Sequence, residues 1–242
     1  MLTVYHGSTS SVEQPLAGVC RPNLDFGVGF YVTRMEEQAV RWALRTADLR
    51  HLADAWLNTY LLDIDVCCAV PYRYRYFESY NAEWLDFVVA CRQGDALWQG
   101  YDIIEGGIAD DRVIRTIDLY IRGDYTREEA LSRLVHQEPN NQICIVNQEI
   151  IERHLYFKES SRIQLTSTRE TKPVPADIAM QGKYYGVVEL LASRLHISKD
   201  KALDIFYNTD TYRRLTQQTG DLYLMSDLYI VDEVTRELQS KQ

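Results

Sequence analysis

The most informative parts of the sequence are two stretches near the start of the chain: Tyr5-His6-Gly7-Ser8-Thr9 and Asp25-Phe26-Gly27-Val28-Gly29-Phe30-Tyr31. The first follows Leu2-Thr3-Val4, which predicts a short opening strand that ends near the histidine. A glycine has no Cβ, so backbone at Gly7 can approach a planar amide closely. The His6 ring can hydrogen-bond a ribose hydroxyl, and the Tyr31 ring can stack on another ring. These residue types predict a cleft for a nicotinamide dinucleotide.

The composition is typical of a protein with a full hydrophobic core. Of its 242 residues, 46% are hydrophobic and 25% are charged, and the formal net charge is −9. This charge argues against an extended phosphate-binding surface, which needs clustered Lys and Arg. No apolar stretch has the length of a membrane span, and the start of the chain does not read as a signal peptide. We therefore expect a cytoplasmic protein that has no membrane contact.

The cysteines and histidines predict neither disulfides nor a metal. The five cysteines are odd in number, and Cys67 and Cys68 are adjacent. Free thiols in a reducing compartment are the simplest interpretation, with a disulfide framework as the alternative. The five histidines are dispersed, and no Cys/His pair has the spacing of metal ligands.

The order of predicted elements indicates an α+β domain over residues 1–160, a linker over 161–177 and a small all-α domain over 178–242. Strands alternate irregularly with helices, unlike a doubly wound sheet. Pro173-Val174-Pro175 cannot lie inside a helix and so indicates the linker. The predicted strands are at 2–5, 59–66, 100–107, 141–146 and 155–158, and the predicted helices are at 35–57, 83–92, 126–136, 148–153, 178–195, after Ser198 and after Ser226.

The motifs resemble the ADP-ribosyltransferase superfamily, in its histidine–tyrosine–glutamate branch of diphtheria toxin and the poly(ADP-ribose) polymerases. His6-Gly7-Ser8 matches the signature of the first strand, and Gly27-Val28-Gly29-Phe30-Tyr31 matches the glycine turn and its tyrosine. The resemblance implies a split-sheet, NAD-binding domain in which NAD+ is the substrate.

The resemblance also assigns roles to residues. It implies that Tyr31 and Trp42 sandwich the nicotinamide ring, and that the Gly7 backbone and the Ser8 hydroxyl hold its carboxamide. His6 would bind the adenosine-side ribose. The family often has a serine where this chain has Ala39, so one carboxamide hydrogen bond is expected to be missing.

The third catalytic position departs from the family pattern. The best match to the family's glutamate is Gln142, in Asn141-Gln142-Ile143-Cys144-Ile145-Val146. A neutral amide can orient the nicotinamide ribose but supplies no negative charge to an oxocarbenium-like transition state. Three explanations stay open: single transfer that uses Gln142, an acid from elsewhere, or binding without turnover. Asp110 or Asp111 could supply the acid, or could form a solvated turn or a helix N-terminus.

These features predict a mono-ADP-ribosyltransferase that moves one ADP-ribose to a macromolecular acceptor, a protein rather than a nucleic acid. Hydrolysis of NAD+ and an inactive NAD-binding adaptor are the alternatives. Further segments of the chain resemble an uncharacterised bacterial family of related domains and a helical domain that accompanies it. That resemblance fits a toxin or defence effector whose helical domain binds a protein partner.

One other segment has two interpretations. Pro71-Tyr72-Arg73-Tyr74-Arg75-Tyr76 interleaves cations with aromatic rings, as do proteins that bind single-stranded nucleic acids. An edge strand whose tyrosines pack inward is the simpler interpretation.

Overall fold

The computed structural model describes residues 1–21, 23–50, 52–107, 111–134, 141–163, 177–217 and 222–240. The chain divides into two compact units, Met1–Thr166 and Ser167–Gln242. The first combines a sheet with helices, and the second is helical over its described residues. None of the helices in the described ranges is both long and apolar enough to cross a bilayer.

Seven strands of the first unit form one sheet, in the order β4-β5-β6-β2-β1-β3-β7. The strands are β1 (Leu2–Ser8), β2 (Phe30–Thr33), β3 (Ala55–Leu62), β4 (Tyr74–Tyr76), β5 (Ile103–Gly107), β6 (Asn141–Ile145) and β7 (Leu155–Ile163). β4 and β5 are parallel, and the other neighbours are antiparallel. β1 pairs with β3 along its whole length, but with β2 through Tyr5 and Thr33 alone. The sheet is continuous, and this short ladder is where it comes nearest to the expected split.

Helices cover both faces of the sheet. They are α1 (Glu36–Leu49), α2 (Ile64–Cys67), α3 (Ala82–Gln93), α4 (Asp111–Ile121), α5 (Arg127–Leu134) and α6 (Gln148–His154). On one face, called the α1 face below, α1 packs through Ala43 and Ala47, and α3, α4 and α5 form a separate apolar cluster. On the opposite face, the α6 face, α2 and α6 cover a cluster that includes Val4, Phe30 and Ile143.

The second unit contains α7 (Asp177–Leu195), α8 (Lys199–Tyr207), α9 (Asp210–Thr216) and α10 (Asp227–Ser240). The caps predicted from the sequence form, since Ser198 accepts a hydrogen bond from the Lys201 N–H and Ser226 accepts one from the Tyr229 N–H. The helix α9 was not predicted. It begins after Thr209, whose hydroxyl accepts a hydrogen bond from the Tyr212 N–H.

Several predicted boundaries were wrong. The helix expected over 35–57 ends at Leu49, and Ala55–Leu57 begin β3, because their backbone pairs with that of β7. The strand expected to end at 66 ends at Leu62 and is followed by the helical turn α2. β7 extends to Ile163, so residues 161–163 belong to a strand and not to the linker. Asp177 begins α7 and is not linker either, and linker residues 164–176 lie outside the described ranges.

Candidate functional site

His6 links the end of β1 to the start of β2. Its Nδ1 atom lies 2.7 Å from the backbone oxygen of Tyr31. A carbonyl oxygen only accepts hydrogen bonds, so we assign the ring proton to Nδ1. Burial lowers the pKa of His6, although the hydrogen bond to Tyr31 opposes this shift. The imidazole is therefore neutral near pH 7, and its Nε2 atom is left as a hydrogen-bond acceptor.

The predicted site residues lie on both faces of the sheet. His6 is on the α6 face, because its ring packs on Phe30 with the ring centroids 4.6 Å apart. Tyr31 follows Phe30 in β2 and so points to the α1 face, where it is paired with Cys144 of β6. Gln142 lies two residues before Cys144 and shares that face. The β1 backbone at Gly7 lies between the two sets of side chains.

The helix α1 passes directly over Gly7. A Cβ atom at this position would lie 1.9 Å from the backbone oxygen of Ala39 and 2.9 Å from the backbone nitrogen of Ala43. The glycine therefore allows close packing between a strand and a helix, besides any contact with a ligand. Trp42 lies one turn beyond Ala39, and its side chain is 44% exposed. Thus the same contact that requires glycine at position 7 fixes the helix that carries Trp42.

Tyr31 stabilises the glycine turn that precedes it. Its hydroxyl donates a 2.6 Å hydrogen bond to the Gly27 carbonyl and accepts one of 3.2 Å from the Phe26 N–H. Gly27 has a φ angle of +73°, and a Cβ there would lie 2.0 Å from the Trp98 ring. Burial raises the pKa of Tyr31 well above its usual value, so the phenol stays protonated. The ring remains half-buried, and its stacking on nicotinamide stays a prediction.

A buried ion cluster supports the same turn. The Arg92 Nε donates a 2.7 Å hydrogen bond to Asp25, and the Arg92 guanidinium also lies 3.5 Å from Asp118. Arg92 is 5% exposed, so losing either carboxylate would leave a poorly compensated buried charge. Asp25 therefore acts as a structural residue of the turn.

The Ser8 hydroxyl already has its hydrogen-bond partners. It donates to the Ser10 carbonyl and accepts from the Ser10 N–H at 3.2 Å and from the Asn58 amide at 3.1 Å. A contact between this hydroxyl and a carboxamide would have to replace one of these bonds. The binding of the nicotinamide carboxamide by Ser8 therefore stays a prediction. In the structure, the Ser8 hydroxyl closes a turn with Ser10.

Gln142 occupies a central position on the α1 face. β6 pairs Gln142 with Thr33 of β2 on one side and with Gly106 of β5 on the other. The side chain is half-buried, and within the described ranges its amide has no hydrogen-bond partner. Asp110 and the side chain of Asp111 lie outside the described residues, so their proposed role as the acid stays a prediction.

Among the described residues, Glu105 provides a buried carboxylate, 1% exposed, in the strand that pairs with Gln142. Glu105 is paired with Ile143 in the ladder and shares its α6 face, opposite to Gln142. Its oxygens accept hydrogen bonds from the Arg34 guanidinium at 2.7 Å and from the Tyr74 hydroxyl at 2.8 Å. This carboxylate is engaged in a structural cluster on the face opposite to Gln142.

The segment that interleaves arginine and tyrosine forms an edge strand, β4, at one end of the sheet. Arg73 pairs with Asp102 at 3.0 Å, and Arg75 pairs with Glu83. Hydrogen bonds from Arg73 lower the pKa of Asp102, as expected for an ion pair. Both cations have acidic partners, and β4 is an edge strand as expected. The expected inward packing of its tyrosines was wrong for Tyr76, which is 45% exposed. All five cysteines are free thiols.

Two residues that shape the site were missed. Asn58 is fully buried in β3 and contacts the turn at the end of β1, and Trp98 packs on Gly27. The signal for Asn58 was a single amide within the otherwise strand-forming run Trp56-Leu57-Asn58-Thr59-Tyr60-Leu61-Leu62. No comparable signal marks Trp98.

Comparison with known proteins gives one family. Residues 2–157 match the model of DUF3990, a family described as a protein of unknown function. The match covers more than half of the chain, and the chain therefore belongs to this family. The matched region includes every residue of the candidate site described above. No curated protein matches the chain. No solved structure matches it.

Proposed function

We propose that this protein is a mono-ADP-ribosyltransferase that cleaves NAD+ and transfers one ADP-ribose to a macromolecular acceptor. The observation that carries the proposal is the 2.7 Å contact between His6 Nδ1 and the Tyr31 carbonyl. It joins the two motifs that suggested a dinucleotide cleft, although they are 25 residues apart in the chain. The contact joins the His6 ring to the Tyr31 backbone, while the two side chains point to opposite faces of the sheet.

The protonation of His6 suits a ribose. A hydroxyl can donate to the Nε2 lone pair of a neutral imidazole, and the Nδ1–H bond fixes the orientation of the ring. Protonation of Nε2 would remove this acceptor. Binding of the adenosine-side ribose should therefore weaken as the pH falls.

The α1 face offers surfaces for the nicotinamide end. Tyr31 is half-buried on this face, and Trp42 extends from α1 with 44% of its side chain exposed. Two aromatic rings can hold a planar heterocycle by stacking. The amide of Gln142, which has no hydrogen-bond partner among the described residues, lies on the same face and can hydrogen-bond the hydroxyls of the nicotinamide ribose.

In the proposed reaction, the bond between the anomeric carbon and the nicotinamide nitrogen breaks, and nicotinamide leaves with the bonding electron pair. A nucleophile of the acceptor then bonds to the anomeric carbon and loses its proton to solvent or to a base. Gln142 can orient the ribose but adds no charge to stabilise the developing cation. Its neutrality is expected to cost on the order of 3 kcal/mol relative to a charged partner. A slow single transfer therefore fits better than chain elongation.

A second candidate is an NAD+ or ADP-ribose binder without turnover, and the observation that favours it is the same neutral amide at Gln142. Such a protein would act as an adaptor through its helical unit. NAD+ hydrolysis, with water as the acceptor, differs from transfer only in the last step.

The test follows both products of adenylate-labelled NAD+ in bacterial lysate. Wild-type protein should release nicotinamide and place label in macromolecules, and His6→Ala should reduce both by at least about tenfold. His154→Ala is the matched control, since His154 hydrogen-bonds Tyr72 at 3.0 Å and lies at the end of α6. Nicotinamide release without incorporation would indicate hydrolysis. Binding of NAD+ with neither product would indicate the adaptor, and no binding would refute the proposal.

A further inference from the structure

Asn58 connects three segments of the first unit. It is 0% exposed and lies opposite His6 in the ladder between β1 and β3. Its Nδ2 atom is within hydrogen-bond distance of three oxygens: the His6 carbonyl at 3.3 Å, the Ser8 hydroxyl at 3.1 Å and the Ser10 carbonyl at 3.3 Å. Its Oδ1 atom accepts from the Val12 N–H at 2.8 Å and from the Ser160 hydroxyl of β7 at 2.9 Å.

An asparagine at this position needs a specific explanation. Asparagine is depleted in strands, and a buried amide is unfavourable unless its donors and acceptors are satisfied. The same face of β3 carries the buried residues Tyr60 and Leu62. An aspartate would place an oxygen against the three oxygens that now face Nδ2, and an apolar residue would leave both sets of partners unpaired. Only a side chain that donates on one side and accepts on the other satisfies this position.

The segment held by Asn58 begins in the proposed NAD+ site. Residues 8–12 leave the end of β1 directly after His6 and Gly7, and the Tyr60 hydroxyl provides a second anchor by donating to the Val12 carbonyl. We propose that Asn58 is a positioning residue: its amide fixes the His6 backbone, the Ser8 turn and Val12 on β3, and so holds the end of β1 in the geometry that binds NAD+. This inference rests on the proposed function. Asn58 acts through these residues and does not itself contact the substrate.

The main test is Asn58→Asp, which keeps the acceptor for Val12 and Ser160 and removes only the N–H donors. A poorly positioned site weakens binding of the ground state and of the transition state alike. We therefore expect the KM for NAD+ to rise about tenfold, with kcat changed much less.

Asn147→Asp is the matched control, because Asn147 also donates from Nδ2, to Asp102 at 3.0 Å, and accepts through Oδ1 from the Glu149 N–H. It should lower the melting temperature without moving KM.

A milder pair of variants decides the question if Asn58→Asp does not fold. Ser160→Ala removes one hydrogen bond to Asn58 and should raise KM about threefold. Ser161→Ala changes an exposed neighbour on the same strand and should leave KM unchanged. With an active wild type, an unchanged KM in Asn58→Asp, or in Ser160→Ala where Asn58→Asp does not fold, would overturn this inference alone. A wild type without NAD+ turnover would overturn the proposed function, and the positioning role with it.

Discussion

Gly7→Ala should destabilise the first unit strongly, because α1 occupies the space that a side chain would need. The added Cβ would lie 1.9 Å from the Ala39 oxygen, about 1.5 Å inside the 3.4 Å at which ordinary contact begins. The opposing atoms belong to helix backbone, so α1 must move as a body. Overpacking of this kind costs about 3 kcal/mol. For a unit of this size the loss corresponds to a fall in melting temperature of about 6–12 °C.

The assay is thermal unfolding followed by circular dichroism, with Gly18→Ala as the control. A Cβ at Gly18 would meet nothing within 4 Å, so this variant should melt near the wild-type temperature. Together the two variants distinguish the two explanations for glycine at position 7, which are packing against α1 and contact with a ligand. A melting temperature for Gly7→Ala within about 1 °C of wild type, with NAD+ affinity lost, would show that a ligand and not α1 occupies this space, and would refute the packing argument.

Three further predictions concern single side chains of the site. Burial lowers the pKa of His6 below its ordinary 6.5, so the unfolded chain binds a proton more readily than the folded one. The free energy of unfolding should therefore be fully retained above about pH 6.5 and decrease as the pH falls through the folded pKa. His6→Ala should flatten this pH dependence when it is measured by urea unfolding. Tyr31→Phe removes the hydroxyl bonds to Gly27 and Phe26 and should cost about 1–2 kcal/mol of unfolding free energy; no loss in urea titrations would argue against the clamp. Gln142→Glu should increase nicotinamide release about tenfold or more if the neutral amide limits turnover, and an unchanged or lower rate would show that the site is adapted to glutamine.

The sequence predicted the elements of the fold better than their limits. The helix expected from residue 126 begins with a capping box, in which the Thr126 N–H donates to Glu129 and the Glu129 N–H donates to the Thr126 hydroxyl. Such caps depend on neighbours in the chain and can be read locally. The boundary between α1 and β3 could not be predicted from neighbouring residues, because Ala55–Leu57 have residue types that fit either element. Their pairing with β1 and β7, which involves distant residues, decides in favour of a strand.

The site shows the same division between local and distant causes. The motifs at His6 and Tyr31 predicted that these residues belong to one cleft. Their strands β1 and β2 are neighbours, but the two side chains lie on opposite faces of the sheet, so the shared cleft stays a prediction. The register of the strand ladders decides which of the predicted site side chains lies on which face of the sheet, and sequence spacing does not reveal this register. Similarly, the contacts of Asn58 with Val12 and Ser160 span 46 and 102 residues. A lone amide in a strand-forming run could have marked Asn58, but not its partners.

The most direct test of the account is a nuclear magnetic resonance measurement of the ring nitrogens of His6, in the free protein and with NAD+ added to about 1 mM. We expect a neutral ring protonated at Nδ1 in the free protein and a marked shift of Nε2 on addition of NAD+. His154 should not respond, since its Nε2 is already bonded to Tyr72. A proton on Nε2 in the free protein, or a His6 spectrum that NAD+ leaves unchanged, would contradict the claim that this site binds NAD+ through His6.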